Sequence, residues 1–374
     1  MAGIAYARFY TLPRYYPTSD TWRFYKLSVV ETQLLLKSPL AFIKDLFYHG
    51  YSNSGNLFSG ENTYWNDLKS NLPVKMMAIF NVLTSNSYYT NIILFNFLFL
   101  FGLVALFKVF FSIYPRKKTI IIASVFLLPS TLFWCSGIHK DGLILSAVGV
   151  TIYCFYKIVT EKYQFKHLLL ILLSLTLIFS LRNYILFALL PAVISFITAE
   201  KYRNQKKRIF SCVYILGIAC FFIIPSILPA INPPYYLAAK QQEFLKLTAS
   251  SLVLIHPLEP TVGGFISFLP TAIDMAFLRP HINEFANVSY IPAIAENVLL
   301  IILVVLSVTH FSKQSKVPPV IMCLLAFSIS VLLICGYTIP FTGAIVRYRS
   351  LVLPLLITPL LCIAEFSFAR KPAK

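Results

Sequence analysis

The feature that most constrains this chain is a series of apolar runs, each close to the length of a bilayer crossing. Nine stand out: residues 89–111, 119–136, 143–159, 168–181, 184–199, 209–229, 290–311, 317–335 and 350–366. About 20 apolar residues cross the hydrocarbon layer as a helix, and each backbone amide in it must be satisfied within its own segment. The expected fold is therefore all-α, a polytopic transmembrane helical bundle of about nine helices. The fourth and fifth runs are short and flank Arg182-Asn183, which reads as a tight hairpin that need not span fully. Composition agrees: 58% of the 374 residues are hydrophobic and only 12% are charged, about half the usual charge of a soluble domain. A soluble globular enzyme and a disordered chain are excluded. The seven cysteines fall in or beside apolar runs without a CxxC pair, so neither a zinc site nor a disulfide framework is indicated.

The net charge of +18 is distributed in a way that orients the bundle. Cations crowd alternate links: Arg116, Lys117 and Lys118; Lys162 and Lys166; Lys201, Arg203, Lys206, Lys207 and Arg208; Lys313 and Lys316; and the tail with Arg370, Lys371 and Lys374. The intervening links carry few. Cytoplasmic loops are enriched in Lys and Arg, so the rich set and the C-terminus are expected in the cytoplasm. The same rule explains the positive charge without nucleic acid, and the partners expected are membrane lipids. Four regions follow: 1–85, an external amphipathic segment; 86–230, six transmembrane helices; 231–289, a large external loop with an interfacial or re-entrant stretch; and 290–374, three helices and a basic tail. Within the first, Ser28–Phe47 has the spacing of an interfacial helix broken at Pro39. No signal peptide opens the chain at MAGIAYARFYTLP. Either a first helix precedes Met1 or the segment follows its downstream helix outward; the former is the expectation.

Only Glu161, Glu200 and Glu365 among the carboxylates fall on the cytoplasmic side of this topology. The rest share the outer side with Lys140, Arg182, Arg279, Arg347 and Arg349, a set suited to an anionic ligand at the bilayer surface. Asp20, among Tyr15, Tyr16, Trp22 and Tyr25, is either a helix N-cap, together with Ser19, or a general base for a sugar hydroxyl. The stretch Pro129–Asp141 ends one helix and starts the next. Gly137 suits a C-cap and Asp141 an N-cap, whereas His139-Lys140 would line a site facing that turn. Arg182 either snorkels to headgroups or binds phosphate. Glu296 lies about two turns into an apolar helix and needs a partner, for which Arg279 or Arg182 is the expectation. Glu284 follows in the same long loop. Arg347 and Arg349, at i and i+2, do not share a helix face, so one is expected to face the protein and the other the headgroups. The histidines are scattered and no metal motif is present; no cofactor is indicated, and a carboxylate-bound divalent cation stays open.

Taken together, an aromatic-flanked Asp20, PSTLFWCSGIHKDG, SLRNYILFALLPA, FLRPHINE with AENVLLI, and RYRSLVLPLL resemble a group of bacterial integral membrane proteins similar to the C-type (GT-C) glycosyltransferases. The resemblance spans roughly residues 15–365. It implies a multi-pass protein of the bacterial cytoplasmic membrane that transfers a sugar from a polyprenyl-phosphate carrier to an acceptor on the outer side. Asp20 would act as base or acceptor ligand, and Lys140, Arg182, Arg279, Arg347 and Arg349 would hold the carrier phosphate. The family normally has a helix just before the acidic loop, and this chain shows none. A polysaccharide polymerase or ligase using a lipid-linked diphosphate, a lipid transporter and a membrane scaffold are the other readings.

Overall fold

In the computed structural model, residues 2–12, 15–16, 19–47, 63–161, 164–247, 251–284, 290–311 and 317–365 are described. Among them sixteen α-helices form and no strand does. Near the N-terminus these are α1 (Ala2–Phe9), α2 (Asp20–Lys37), α3 (Pro39–Asp45) and α4 (Tyr64–Thr84). Next come α5 (Tyr88–Ile113), α6 (Lys118–Phe126), α7 (Pro129–Ser136), α8 (Lys140–Thr160), α9 (Phe165–Lys201) and α10 (Lys206–Ile227). The remainder are α11 (Pro233–Leu245), α12 (Val262–Ile273), α13 (Ile291–Thr309), α14 (Pro319–Thr338), α15 (Thr342–Ser350) and α16 (Leu353–Ile363). The all-α transmembrane architecture expected from the apolar runs is the one found.

Six helices are long and apolar enough to cross a membrane: α5, α8, α9, α10 with the short turn before it, α13 and α14. Two bent pairs qualify only together, α6 with α7 at 49° and α15 with α16 at 63°, bringing the number to eight. The bends have a cause in the sequence. Pro129 and Pro354 stand in the first turns of α7 and α16. Proline has no N–H to donate and its ring clashes with the preceding turn, so a helix restarts there. The final crossing thus begins at Thr342, earlier than the apolar run, and Arg347 and Arg349 lie within a helix.

The expected count of nine differs from these eight only in α9, a 37-residue helix interrupted at Arg182 (φ −152°, ψ 87°). Its contacts fold it back on itself. His167, near its start, meets Tyr153 of α8 with ring centroids 6.4 Å apart, while Arg182 reaches Asp141 at the opposite end of α8. Past the break, Tyr184 lies against Cys335 near the end of α14, and Lys206 donates to the Val317 carbonyl at its beginning (2.6 Å). Lys207 and Val317 share an apolar cleft with Phe311 and Ile363. Lys117 caps the same end by donating to the carbonyls of Cys362 (2.7 Å) and Ala364 (2.5 Å). Both ends of α9 therefore sit at the basic end of the bundle and Arg182 at the other. Each arm is about 25–30 Å long at 1.5 Å per residue, just short of the hydrocarbon thickness. The hairpin at Arg182-Asn183 forms as the sequence suggested.

Helices α5 and α8 run parallel, with Leu98 near Ser146 and Ser112 near Tyr156, and small residues permit their close crossing. A Cβ added to Gly102 would lie 2.2 Å from Ser146 Cα, and one added to Gly149 would lie 2.5 Å from the Gly102 carbonyl oxygen. Both obstacles are backbone and cannot rotate away. Gly102→Val should destabilise the bundle by at least about 1–3 kcal/mol, the usual cost of overpacking. A fall in the thermal unfolding midpoint of the detergent-solubilised protein is the expected result, whereas Gly217→Val, where an added Cβ meets nothing within 4 Å, should leave that midpoint unchanged.

The described residues of the N-terminal segment form four helices, more than amphipathic stretches alone imply. The break at Pro39 occurs as expected, between α2 and α3. The 21-residue helix α4 packs on α2 through Asn81, which donates to Ser28 and Thr32 at 3.0 Å each. Lys75 bridges Glu31 (2.7 Å) and Asp45 (2.8 Å) beneath them. In the long loop, α12 runs into a π-helical turn, Asp274–Leu278, and leans on α14 where Gly336 meets the Ala272 carbonyl.

Candidate functional site

The turn from α7 to α8 is built by close approach. A Cβ on Gly137 would lie 2.2 Å from the ring of Tyr6 in α1, and one on Gly142 would lie 2.1 Å from the Cys135 carbonyl oxygen. Gly137 does end α7, with an ordinary negative φ of −76°. The N-cap of α8 is His139, whose Nδ1 accepts from the Asp141 amide at 3.3 Å. Asp141 was expected to be that cap. It lies instead in the first turn of α8, and its carboxylate is turned to side chains from other helices.

Asp141 is buried, and three groups from three elements converge on it. Arg182 Nη2 approaches Oδ1 at 2.5 Å. Arg347 Nε donates to Oδ2 at 2.8 Å. His139 Nδ1 lies 2.9 Å from Oδ2. The far side of the imidazole, Nε2, is 3.3 Å from Asp20 Oδ2, and Arg347 contacts both the His139 ring and, at 3.6 Å, Asp20. Asp20 is 53% exposed at its side chain, so the chain of contacts runs from a buried carboxylate to one that meets solvent. It starts α2 after Ser19, which caps through its backbone position without a side-chain bond. Lys140 stands among Arg182, Asp141, Arg347 and Asp20.

Arg182 is less available than the sequence implied. The break in α9 turns its side chain inward, where it is only 4% exposed. Its Nη1 donates to the Tyr184 hydroxyl at 2.9 Å, and its guanidinium stacks 3.9 Å from the centre of the Tyr348 ring. It neither snorkels nor presents a free fork; it fixes Asp141 and adds positive potential behind the site. Arg347, at 19% side-chain exposure, is the more exposed of the two arginines.

Hydrogen bonding to His139 is the main cause holding the Asp20 carboxyl well below the usual carboxylate range, with the charges of His139, Arg347 and Lys140 acting in the same sense and desolvation opposing them. A lowered value means that Asp20 stays ionised as pH falls through about 4, where an ordinary aspartate protonates. Replacing His139 by glutamine should raise it toward that ordinary value. The pH profile of any Asp20-dependent activity should then gain an acid limb near pH 4 that the native protein lacks.

The other expected site residues form a second cluster. Arg279 Nε pairs with Asp274 Oδ2 at 2.7 Å, and Glu284 takes its other side. His281 Nε2 meets Asp274 Oδ1 at 2.8 Å, and its amide donates to Glu284 Oε2 at 3.0 Å. Arg349 donates to Asn297 Oδ1 (2.7 Å) and to the Arg279 carbonyl (3.0 Å). Glu296 is satisfied by the Ser130 amide at 2.9 Å and by the Ser130 hydroxyl, not by Arg279 or Arg182 as expected. These groups answer one another and tie the long loop to α7, α13 and α15. Helix α15 thus sends Arg347 to the first cluster and Arg349 to the second; neither arginine of the pair serves as a headgroup anchor.

The structure therefore gathers Asp20, Lys140, Asp141, Arg182 and Arg347, and sets Arg279, Glu284, Glu296 and Arg349 apart. Sequence reasoning underrated His139, which links the two aspartates, and missed Tyr184 and Tyr348 around Arg182. Among the described residues no three of His, Cys, Asp and Glu are arranged to hold a metal ion. No known family, characterised protein or solved structure matches this chain.

Proposed function

We propose that the chain is a membrane glycosyltransferase that moves a sugar from a polyprenyl-phosphate carrier to an acceptor on the outer side of the cytoplasmic membrane. The observation that carries this reading is the meeting of Asp20, His139, Lys140, Asp141, Arg182 and Arg347 at one end of an apolar bundle, opposite the end where Lys117 and Lys206 lie. The positive-inside rule puts that basic end in the cytoplasm and the cluster outside. The motif likeness to C-type glycosyltransferases leads to the same chemistry.

In the proposed step the acceptor oxygen attacks the anomeric carbon. The bond from that carbon to the phosphate oxygen breaks, and its electron pair leaves on the phosphate. Asp20, solvent-accessible and held by His139, accepts the hydroxyl's hydrogen bond and takes its proton as the new bond forms. Its low basicity confines that transfer to the transition state, when the attacking hydroxyl has become acidic. Lys140 and the edge of Arg347 meet the charge developing on the phosphate, with Arg182 supporting from behind. The test is sugar transfer by the protein in proteoliposomes supplied with a radiolabelled polyprenyl-phosphate sugar and a panel of acceptors. Release of polyprenyl phosphate with labelled product is expected. A uniformly inert protein, whatever the sugar, would remove the reading.

A further inference from the structure

Helix α10 is a crossing that the bundle scarcely covers. Of its 22 residues only Phe210 is buried, and Leu216, Ile218, Ile223 and Ile227 along it are exposed. Its foot is fixed by Lys206, which donates to the Val317 carbonyl at 2.6 Å. Beside that contact a cleft of about 400 Å³ enters the bundle. Val308 and Phe311 at the end of α13, Met322 and Leu325 of α14, and Leu360 and Ile363 of α16 wall it, with Lys207 at its lip. Leu325 lies about 9 Å above the start of α14 at Pro319, at 1.5 Å per residue. Val308 and Phe311 are both exposed, so the cleft opens sideways toward the bilayer. The first turn of α10 holds Lys206, Lys207 and Arg208 and no acidic residue. That turn is the positive end of the helix dipole, where anions are favoured and cations repelled. Lys207 is exposed and has no ion pair or hydrogen-bond partner among the described residues.

We propose that this cleft is a site for an anionic phospholipid, with one acyl chain lying between α13, α14 and α16 and the phosphodiester against Lys207 at the foot of α10. The walls are apolar and the one charged residue lining the cleft is a cation. An apolar slot under an uncompensated positive group is the complement of a molecule with a hydrocarbon tail and an anionic head. At that depth the bilayer offers hydrocarbon and no water to fill a gap. The positive-inside rule sets this end against the cytoplasmic leaflet, which carries the anionic lipids. A zwitterionic lipid of the same chain length fits the slot equally but gains little from Lys207, because its own cation offsets its phosphate. The site lies at the end of the bundle opposite Asp20 and does not depend on the transferase reading.

Two measurements on the full chain test it. In the first, the native protein is placed in phosphatidylcholine nanodiscs with a minor fraction of phosphatidylglycerol that carries a diazirine near the end of one acyl chain. After irradiation the label should be found on Met322, Leu325 or Leu360. Label confined to the outer face of α10, at Leu216 or Ile218, would overturn the proposal. In the second, native mass spectrometry follows the detergent-solubilised chain titrated with dioleoyl phosphatidylglycerol and dioleoyl phosphatidylcholine. The first equivalent of phosphatidylglycerol should bind about fivefold more tightly, the effect of one lysine beside an anionic headgroup. Lys207→Gln should erase most of that preference and Lys207→Arg should keep it. Because Lys207 is exposed and unpaired, neither variant should move the unfolding midpoint. Equal affinity of the native protein for the two lipids would overturn the proposal, as would a preference undiminished in Lys207→Gln. A dimer that excludes bound lipid in the same spectra would give the cleft to a second copy of the chain and overturn it too.

Discussion

Replacing Asp141 by asparagine should cost about 3–5 kcal/mol of stability, the usual penalty for leaving buried charge without its partner. The residue is 1% exposed at its side chain and holds Arg182 and Arg347 at 2.5 and 2.8 Å. Arg182 is itself only 4% exposed, so water cannot replace the lost carboxylate. Asparagine keeps the volume and one acceptor oxygen, which separates charge from packing. Thermal unfolding of the detergent-solubilised protein reads the result as a clearly lower midpoint. Arg347→Gln should be milder, because Arg182 still answers Asp141 and Arg347 is closer to solvent. A midpoint unmoved by Asp141→Asn would mean that the two guanidinium groups are compensated elsewhere.

Asp20→Asn should reduce sugar transfer by about 10²–10⁴-fold, the range that a positioned proton acceptor contributes, while leaving the unfolding midpoint near that of the native protein. The contrast with Asp141 follows from exposure. Asp20 is half in solvent, and its contact to His139 is long at 3.3 Å. Its loss removes a reactive group without stranding a buried charge. The measurement is initial rate in proteoliposomes under saturating donor. An Asp20→Asn protein of unimpaired rate would take the residue out of the chemistry, and a strongly destabilised one would reassign it to the scaffold.

The bundle was legible in the sequence because bilayer crossing imposes a length and a composition that no local context overrides. Even the hairpin at Arg182 could be read, since a charge between two short apolar arms has few other places to go. The extent of α4 was not legible: its buried face, Val74, Met77, Ala78 and Asn81, covers only two turns and mixes apolar with polar residues, and Pro73 stands inside the helix as a break would. Partners of charged groups were legible in kind but not in identity. Glu296 needed a donor and was expected to find an arginine; it found Ser130, 166 residues away in sequence, because the restart of a helix at Pro129 offers a free amide there. Arg347 and Arg349 were expected to part company, and they do. Both point into protein, because α15 is packed on two sides: Arg347 meets Asp141 and His139, and Arg349 meets Asn297 and the Arg279 carbonyl.

The ion cluster joins residues separated by 206 positions along the chain, from Asp141 to Arg347. A ribosome feeding this polypeptide into a membrane delivers α8 and α9 long before α15. During that interval Asp141 has Arg182 as its only arginine partner, and the Arg347 anchor is still untranslated. Maturation of this end of the bundle is thus deferred to the last stage of insertion. Any chain terminated after α14 would present the earlier crossings of the bundle while lacking both the last one and the arginine that closes the cluster.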